Sequence, residues 1–66
     1  MTREEWKARC AARFAEVATW LSKEDCAEQA QMCFESFVDA PFDETAEYHP
    51  EDCADEEMSE WTDDEA

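Results

Sequence analysis

Residues 2–21 read TREEWKARCAARFAEVATWL, and this stretch decides the fold. Trp6, Cys10, Phe14, Val17 and Leu21 follow one another at steps of four, four, three and four, which places them on one stripe of an α-helix. Trp20 widens the stripe. Thr2 with Glu5 fits a capping box, in which each side chain accepts a hydrogen bond from an otherwise free backbone amide. The spacing predicts a helix over residues 3–21.

Downstream, Ser22 followed by Lys23-Glu24-Asp25 reads as a second N-cap. It opens a helix over residues 23–39, with Cys26, Ala30, Cys33 and Phe37 as its apolar stripe and Phe34 and Val38 beside it. Pro41 marks the stop, because the residue before a proline is pushed out of the helical region. The tight link at Ser22 makes the two helices antiparallel neighbours. Counting outward from it sets Cys10 opposite Cys33, Val17 opposite Cys26 or Ala27, and Trp6 opposite Phe37 or Val38. Cys10–Cys33 is therefore the one candidate bridge within the hairpin. Cys26–Cys33 is excluded: seven residues of helix rise about 10.5 Å, and a disulfide needs Cα atoms within about 7 Å.

Residues 43–48 suit one short helical turn, with Phe42 and Tyr48 returning to the core. Pro50 fits the first position of a last helix, with Glu51 and Asp52 in its opening turn, where the dipole favours anions. Cys53, Ala54, Met58 and Trp61 form its buried stripe. No repeat and no strand-like alternation occurs. The expected architecture is all-α: a small bundle made of an antiparallel helical hairpin, a short helical turn and a C-terminal helix. Residues 1–61 form one helical domain, and residues 62–66 are expected to fray as an acidic tail.

Composition sets the competing reading. The 66 residues hold one Leu, no Ile, two Val and four Phe, with a net charge of −15. So few large aliphatic groups with so much charge is a signature of disorder. The helical spacing of the apolar residues and the absence of glycine favour packed helices instead. Uncharged runs such as Val17 to Ser22 are far too short to cross a membrane. Charges throughout the first thirteen residues interrupt any secretory signal. The expected location is the cytoplasm, that of a host bacterium if the chain is phage-encoded, with four reduced thiols serving as small core residues.

The charge is unevenly placed. All five bases (Arg3, Lys7, Arg9, Arg13, Lys23) fall in the first 23 residues beside three acids, and the other seventeen acids follow with no base among them. On the second helix Glu24, Glu28, Glu35 and Asp39 share a face; on the last, Asp52, Asp55, Glu56, Glu60 and Asp63 do so. Like charges four apart, such as Glu24/Glu28 and Glu56/Glu60, each destabilise a helix by about 0.2–0.5 kcal/mol. A solvated face of ordinary composition mixes Lys with Glu and gains these terms. Repeated loss in one sense marks negative charge as the property that function needs.

Catalysis and metal binding are poorly served. The single His, His49, stands beside Pro50 in a loop, and no glycine-rich phosphate loop exists. The cysteine spacings lack the paired pattern of zinc sites, and an EF-hand loop fails for want of glycine. The expectation is a non-enzyme with no catalytic residue, no metal and no cofactor.

Helices with carboxylates every three or four residues place charge at intervals of roughly 4.5–6 Å. Two such rows approach the density of duplex DNA, which carries one charge per about 1.7 Å. Seventeen carboxylates match roughly eight or nine base pairs. From MTREEWKARC (1–10) through SKEDCAEQAQMCFESF (22–37) to HPEDCADEEMSEW (49–61), the chain resembles anti-CRISPR proteins of the acidic kind that inhibit type I CRISPR-Cas systems by mimicking double-stranded DNA. The resemblance rests on size, helicity and charge. It implies a basic protein partner, such as the DNA-recognising subunit of a type I surveillance complex, with duplex access blocked. The expected partner-binding residues come from the charge pattern: Glu24, Asp25, Glu28, Glu35, Asp39, Asp43, Glu44, Glu47, Glu51, Asp52, Asp55, Glu56 and Glu60. Direct nucleic-acid or membrane binding is disfavoured by the acidity, and a monomer is expected. The alternative is an acidic helical adaptor or antitoxin-like module whose basic client does not yield nucleic acid on binding.

Overall fold

The computed structural model describes residues 1–38 and 42–61. Helix α1 spans Arg3–Val17, α2 spans Lys23–Cys33 and runs on into a π-helical segment Phe34–Val38, and α3 spans Pro50–Trp61. No strand occurs among the described residues, so the all-α bundle expected from the sequence is the architecture observed.

Both N-caps form where the sequence places them. Thr2 Oγ1 accepts the Glu5 amide at 3.0 Å, and Ser22 Oγ accepts the Asp25 amide at 3.1 Å. Each satisfies a donor that has no partner inside its own helix. The first helix ends four residues earlier than its stripe suggests. Ala18 leaves helical geometry with φ −95° and ψ 73°, and the Leu21 amide folds back to the Ala18 carbonyl at 3.0 Å. β-Branched Val17 and Thr19 favour the exit, since their restricted χ1 lowers helix propensity.

That early exit corrects the predicted stripe. Val17 is 46% exposed and Trp20 72% exposed, so neither is core; Leu21 packs only partly against it. The second correction comes from the π-helical segment. At the end of α2 the Phe34 amide is shared between the carbonyls of Ala30 and Gln31, and the π-helical segment follows. A wider i→i+5 turn shifts the phase of every later residue. Phe37 leaves the stripe and is 45% exposed. Trp6 therefore finds Phe34 as its ring partner, edge-on at 5.3 Å, in place of Phe37 or Val38. Asp39, Ala40 and Pro41 lie outside the described residues, as do residues 62–66.

The core consists of Trp6, Cys10, Phe14 and Ala18 from α1 and its exit, Cys26, Ala30 and Cys33 from α2, and Ala54 and Met58 from α3. The buried side of α2 consists of the small residues Cys26, Ala30 and Cys33, which suits close packing against α1. The expected Cys10–Cys33 juxtaposition is present: the two thiols neighbour each other in the core. All four cysteines are free thiols. Helix α1 packs against both partners, while α2 and α3 touch each other more sparsely.

Residues 42–49 form a turn, with no helix of their own. The Ala46 amide bonds the Asp43 carbonyl at 3.1 Å, and Asp43 Oδ1 accepts both the amide and the hydroxyl of Thr45 at 2.9 and 2.6 Å. Phe42 and Tyr48 stack at 4.9 Å, and Phe42 reaches Phe34 at 5.4 Å, which ties this connection to the Trp6 end of the core. Pro50 is buried at the start of α3, and the His49 carbonyl accepts the first free amide hydrogen bonds, from Asp52 at 3.0 Å and Cys53 at 3.4 Å. Phe14 and Trp61 stack at 5.6 Å and close the other end.

Candidate partner-binding surface

Charge placement begins with α1. Arg9 and Arg13 are four residues apart, as are Glu51 and Asp55 on α3, and the two ladders meet rung for rung. Arg9 Nε and Nη2 donate to the Glu51 carboxylate at 2.8 and 3.0 Å. Arg13 Nε and Nη2 donate to Asp55 at 2.8 and 3.2 Å, and its Nη1 donates to Glu16 at 3.1 Å. Both rungs join residues 42 apart, so α1 and α3 run parallel. The fork of Arg9 holds the Glu51 carboxyl below the usual carboxylate range. The remaining α1 bases sit over rings: Lys7 Nζ lies 5.0 Å from the Phe34 centroid and the Arg3 guanidinium 5.7 Å from that of Phe42.

Two of the predicted partner-binding acids, Glu51 and Asp55, are thus engaged within the chain. Sequence reasoning did not anticipate this, although the matched four-residue spacings of Arg9/Arg13 and Glu51/Asp55 carried the signal. Glu24, Asp25 and Glu28 on α2 and Glu35 in the π-helical segment are all exposed. Glu24, Glu28 and Gln31 recur on the side of α2 away from Cys26 and Ala30, at about 100° per residue. Gln31 Nε2 donates to Glu35 Oε2 at 2.8 Å and continues the row. On α3, Asp52, Glu56 and Glu60 are exposed on the side away from Ala54 and Met58. Glu57 is half-buried and accepts the Trp61 indole N–H at 3.4 Å.

Asp43, Glu44 and Glu47 are exposed on the turn between these helices. Hydrogen bonds from the Thr45 hydroxyl and amide hold the Asp43 carboxyl below its usual range. The N-terminal ammonium donates to the Glu44 carbonyl at 2.7 Å, so this acidic turn is anchored to the start of α1. Asp39 lies outside the described residues. Helices α2 and α3 both pack on α1 and touch each other more sparsely. Their outward faces carry carboxylates with no opposing base among the described residues.

No group of His, Cys, Asp and Glu among the described residues is arranged to hold a metal ion, and no described helix is long and apolar enough to cross a membrane. Burial pushes the Cys10 and Cys33 thiols up, Cys33 to about 11, which is the reverse of what a reactive thiolate requires. No protein family matches this chain, and comparison with curated proteins and with solved structures finds no significant match.

Proposed function

We propose that this protein is a DNA mimic, which inhibits a DNA-binding protein or complex by occupying its basic cleft. The observation that carries the reading is the internal use of the bases. Arg9 and Arg13 are consumed in docking α3, and Arg3 and Lys7 lie over rings. The outer carboxylates of α2, α3 and the intervening turn are left to act on a partner. Desolvated against Arg and Lys, they form charge-assisted hydrogen bonds, and the long-range field speeds encounter. The long axis of 38 Å spans roughly eleven steps of about 3.4 Å along a nucleic-acid strand.

The resemblance in size, helicity and charge extends the proposal to an anti-CRISPR role, with the DNA-recognising subunit of a type I surveillance complex as target and the host cytoplasm as site of action. Purified surveillance complex bound to a labelled duplex bearing its recognition motif provides the test. Added protein releases the duplex, and release weakens as salt rises. The triple variant Glu24→Lys/Glu28→Lys/Glu35→Lys loses that effect while keeping its helicity.

A second reading draws on Met32 and Phe37, which are exposed beside the α2 acids. Apolar anchors among carboxylates suit an adaptor for a basic client that keeps its nucleic acid. A ternary complex of protein, target and duplex would favour the adaptor and retire the mimic.

A further inference from the structure

Each of the three helices brings one cysteine to the same part of the bundle. The Arg9–Glu51 and Arg13–Asp55 rungs hold α1 and α3 parallel at an offset of 42 residues, which sets Cys53 beside Cys10 and Ala11 along the shared direction. The Trp6–Phe34 contact at 5.3 Å fixes the antiparallel register of α1 and α2, and Cys33 directly precedes Phe34. Cys10 and Cys33 are buried, at 0% and 2% exposure, whereas Cys53 is half-buried. Burial is the chief cause that pushes the Cys10 and Cys33 thiols up, and Cys53 contributes to both. Cys26 stands apart, two turns or about 10.5 Å before Cys33 on α2.

We infer that Cys53 is a thiol–disulfide exchange site, through which small organic disulfides oxidise the buried Cys10–Cys33 pair. The Cys53 thiolate attacks one sulfur of the disulfide R–S–S–R. A Cys53–S–S–R bond forms, the original S–S bond breaks, and the departing thiolate takes up the proton that Cys53 lost. The Cys33 thiolate then attacks Cys53 Sγ, and the second R–S group leaves as its thiol with the Cys33 proton. Cys10 finally attacks Cys33 Sγ, and its proton returns Cys53 to the thiol form. Overall, two protein thiols and one small disulfide become one protein disulfide and two small thiols, so the small disulfide is the two-electron oxidant.

Burial dictates the route. Cys10 and Cys33 offer an outside reagent almost no surface, and raised thiols carry little thiolate. Transfer among neighbours offsets that scarcity, because groups already in place need not be brought together. The Cys10–Cys33 bridge is the end point, since it is closed to further exchange while a bridge to half-buried Cys53 stays open to attack. It staples α1 to α2 across the hairpin. Charge selects the class of disulfide: Glu56 and Asp52 act on Cys53 in a chain of net charge −15, so a cationic disulfide approaches more readily than an anionic one. The inference stands apart from the inhibitory reading, which does not involve the thiols.

The reduced full chain is incubated with cystamine, a dicationic disulfide, and in parallel with anionic glutathione disulfide; quenched alkylation and peptide mass mapping follow the thiols. The expected product has lost two hydrogen atoms and carries a Cys10–Cys33 bridge, after a transient adduct at Cys53, with Cys26 left as a thiol. Cystamine reacts faster than glutathione disulfide, and the gap narrows as salt rises. Cys53→Ser, a change at a half-buried position, keeps its helicity by circular dichroism and forms the bridge at least about tenfold more slowly. Cys10→Ala stops at a Cys33–Cys53 bridge. A lasting adduct on Cys53 with no internal bridge overturns the inference. So does a bridge that forms at the native rate in Cys53→Ser, oxidation that draws in Cys26 equally, or equal rates for the two disulfides at low salt.

Discussion

Arg9 and Glu51 join α1 to α3 through a two-pronged fork, Nε to Oε2 at 2.8 Å and Nη2 to Oε1 at 3.0 Å. With the Arg13–Asp55 rung one turn further on, it fixes the parallel register of two helices that are far apart in the chain. Both forks are partly exposed, so solvent screens them and their role is chiefly orientation. Arg9→Gln/Arg13→Gln should lower Tm modestly, less than any large core truncation, and should increase hydrogen exchange in α3 more than in α2. Uniform loosening of both helices would show that the ladder does not set the α3 position.

The same fork has a pH signature. Glu51 in the folded chain titrates below its ordinary 4.5. The stabilisation is therefore present above that pH and is lost as pH falls through the lower folded value. Protonation of the other carboxylates relieves repulsion and acts in the opposite sense. The difference between the native chain and Glu51→Gln isolates the fork: urea midpoints should converge as pH drops through this window. A constant gap would contradict the depressed Glu51 value.

Thiols give the alkaline counterpart. Burial raises Cys10 and Cys33 from an ordinary 9.0, Cys33 to about 11, so folding favours the protonated forms. Stability is intact below pH 9 and declines as pH rises through the folded values. Cys33→Ala should flatten that decline. In the native chain at neutral pH, an alkylating reagent should modify half-buried Cys53 first and reach Cys10, Cys26 and Cys33 only on unfolding. Early modification of Cys10 would show that this part of the core opens readily.

Two aromatics separate core from surface. Phe14 is fully buried and stacks on Trp61 at 5.6 Å. Phe14→Ala should cost about 3–5 kcal/mol. Against a total of about 0.05–0.15 kcal/mol per residue, that is enough to leave much of the chain unfolded. Trp20→Ala, at the exposed hairpin exit, should change stability by no more than about 0.5 kcal/mol. Thermal denaturation followed by circular dichroism measures both.

Local spacing carried a large part of the fold. The caps at Thr2 and Ser22, the Trp6–Cys10–Phe14 stripe, the Cys26–Ala30–Cys33 stripe, the Cys10–Cys33 juxtaposition and the Pro50 start of α3 were all legible in the sequence. Each depends on helical period, capping chemistry or a short connection, which are properties of neighbours in the chain. Tertiary structure alone decided the rest. The π-helical segment rotated Phe37 outward and gave Trp6 to Phe34, because its wider turn breaks the constant period that sequence reading assumes. The exit at Ala18 left Val17 and Trp20 in solvent. Pairing of Arg9 with Glu51 and Arg13 with Asp55 withdrew two carboxylates from the outward surface, since ion pairs between distant segments form only once packing fixes the phase of one helix against another.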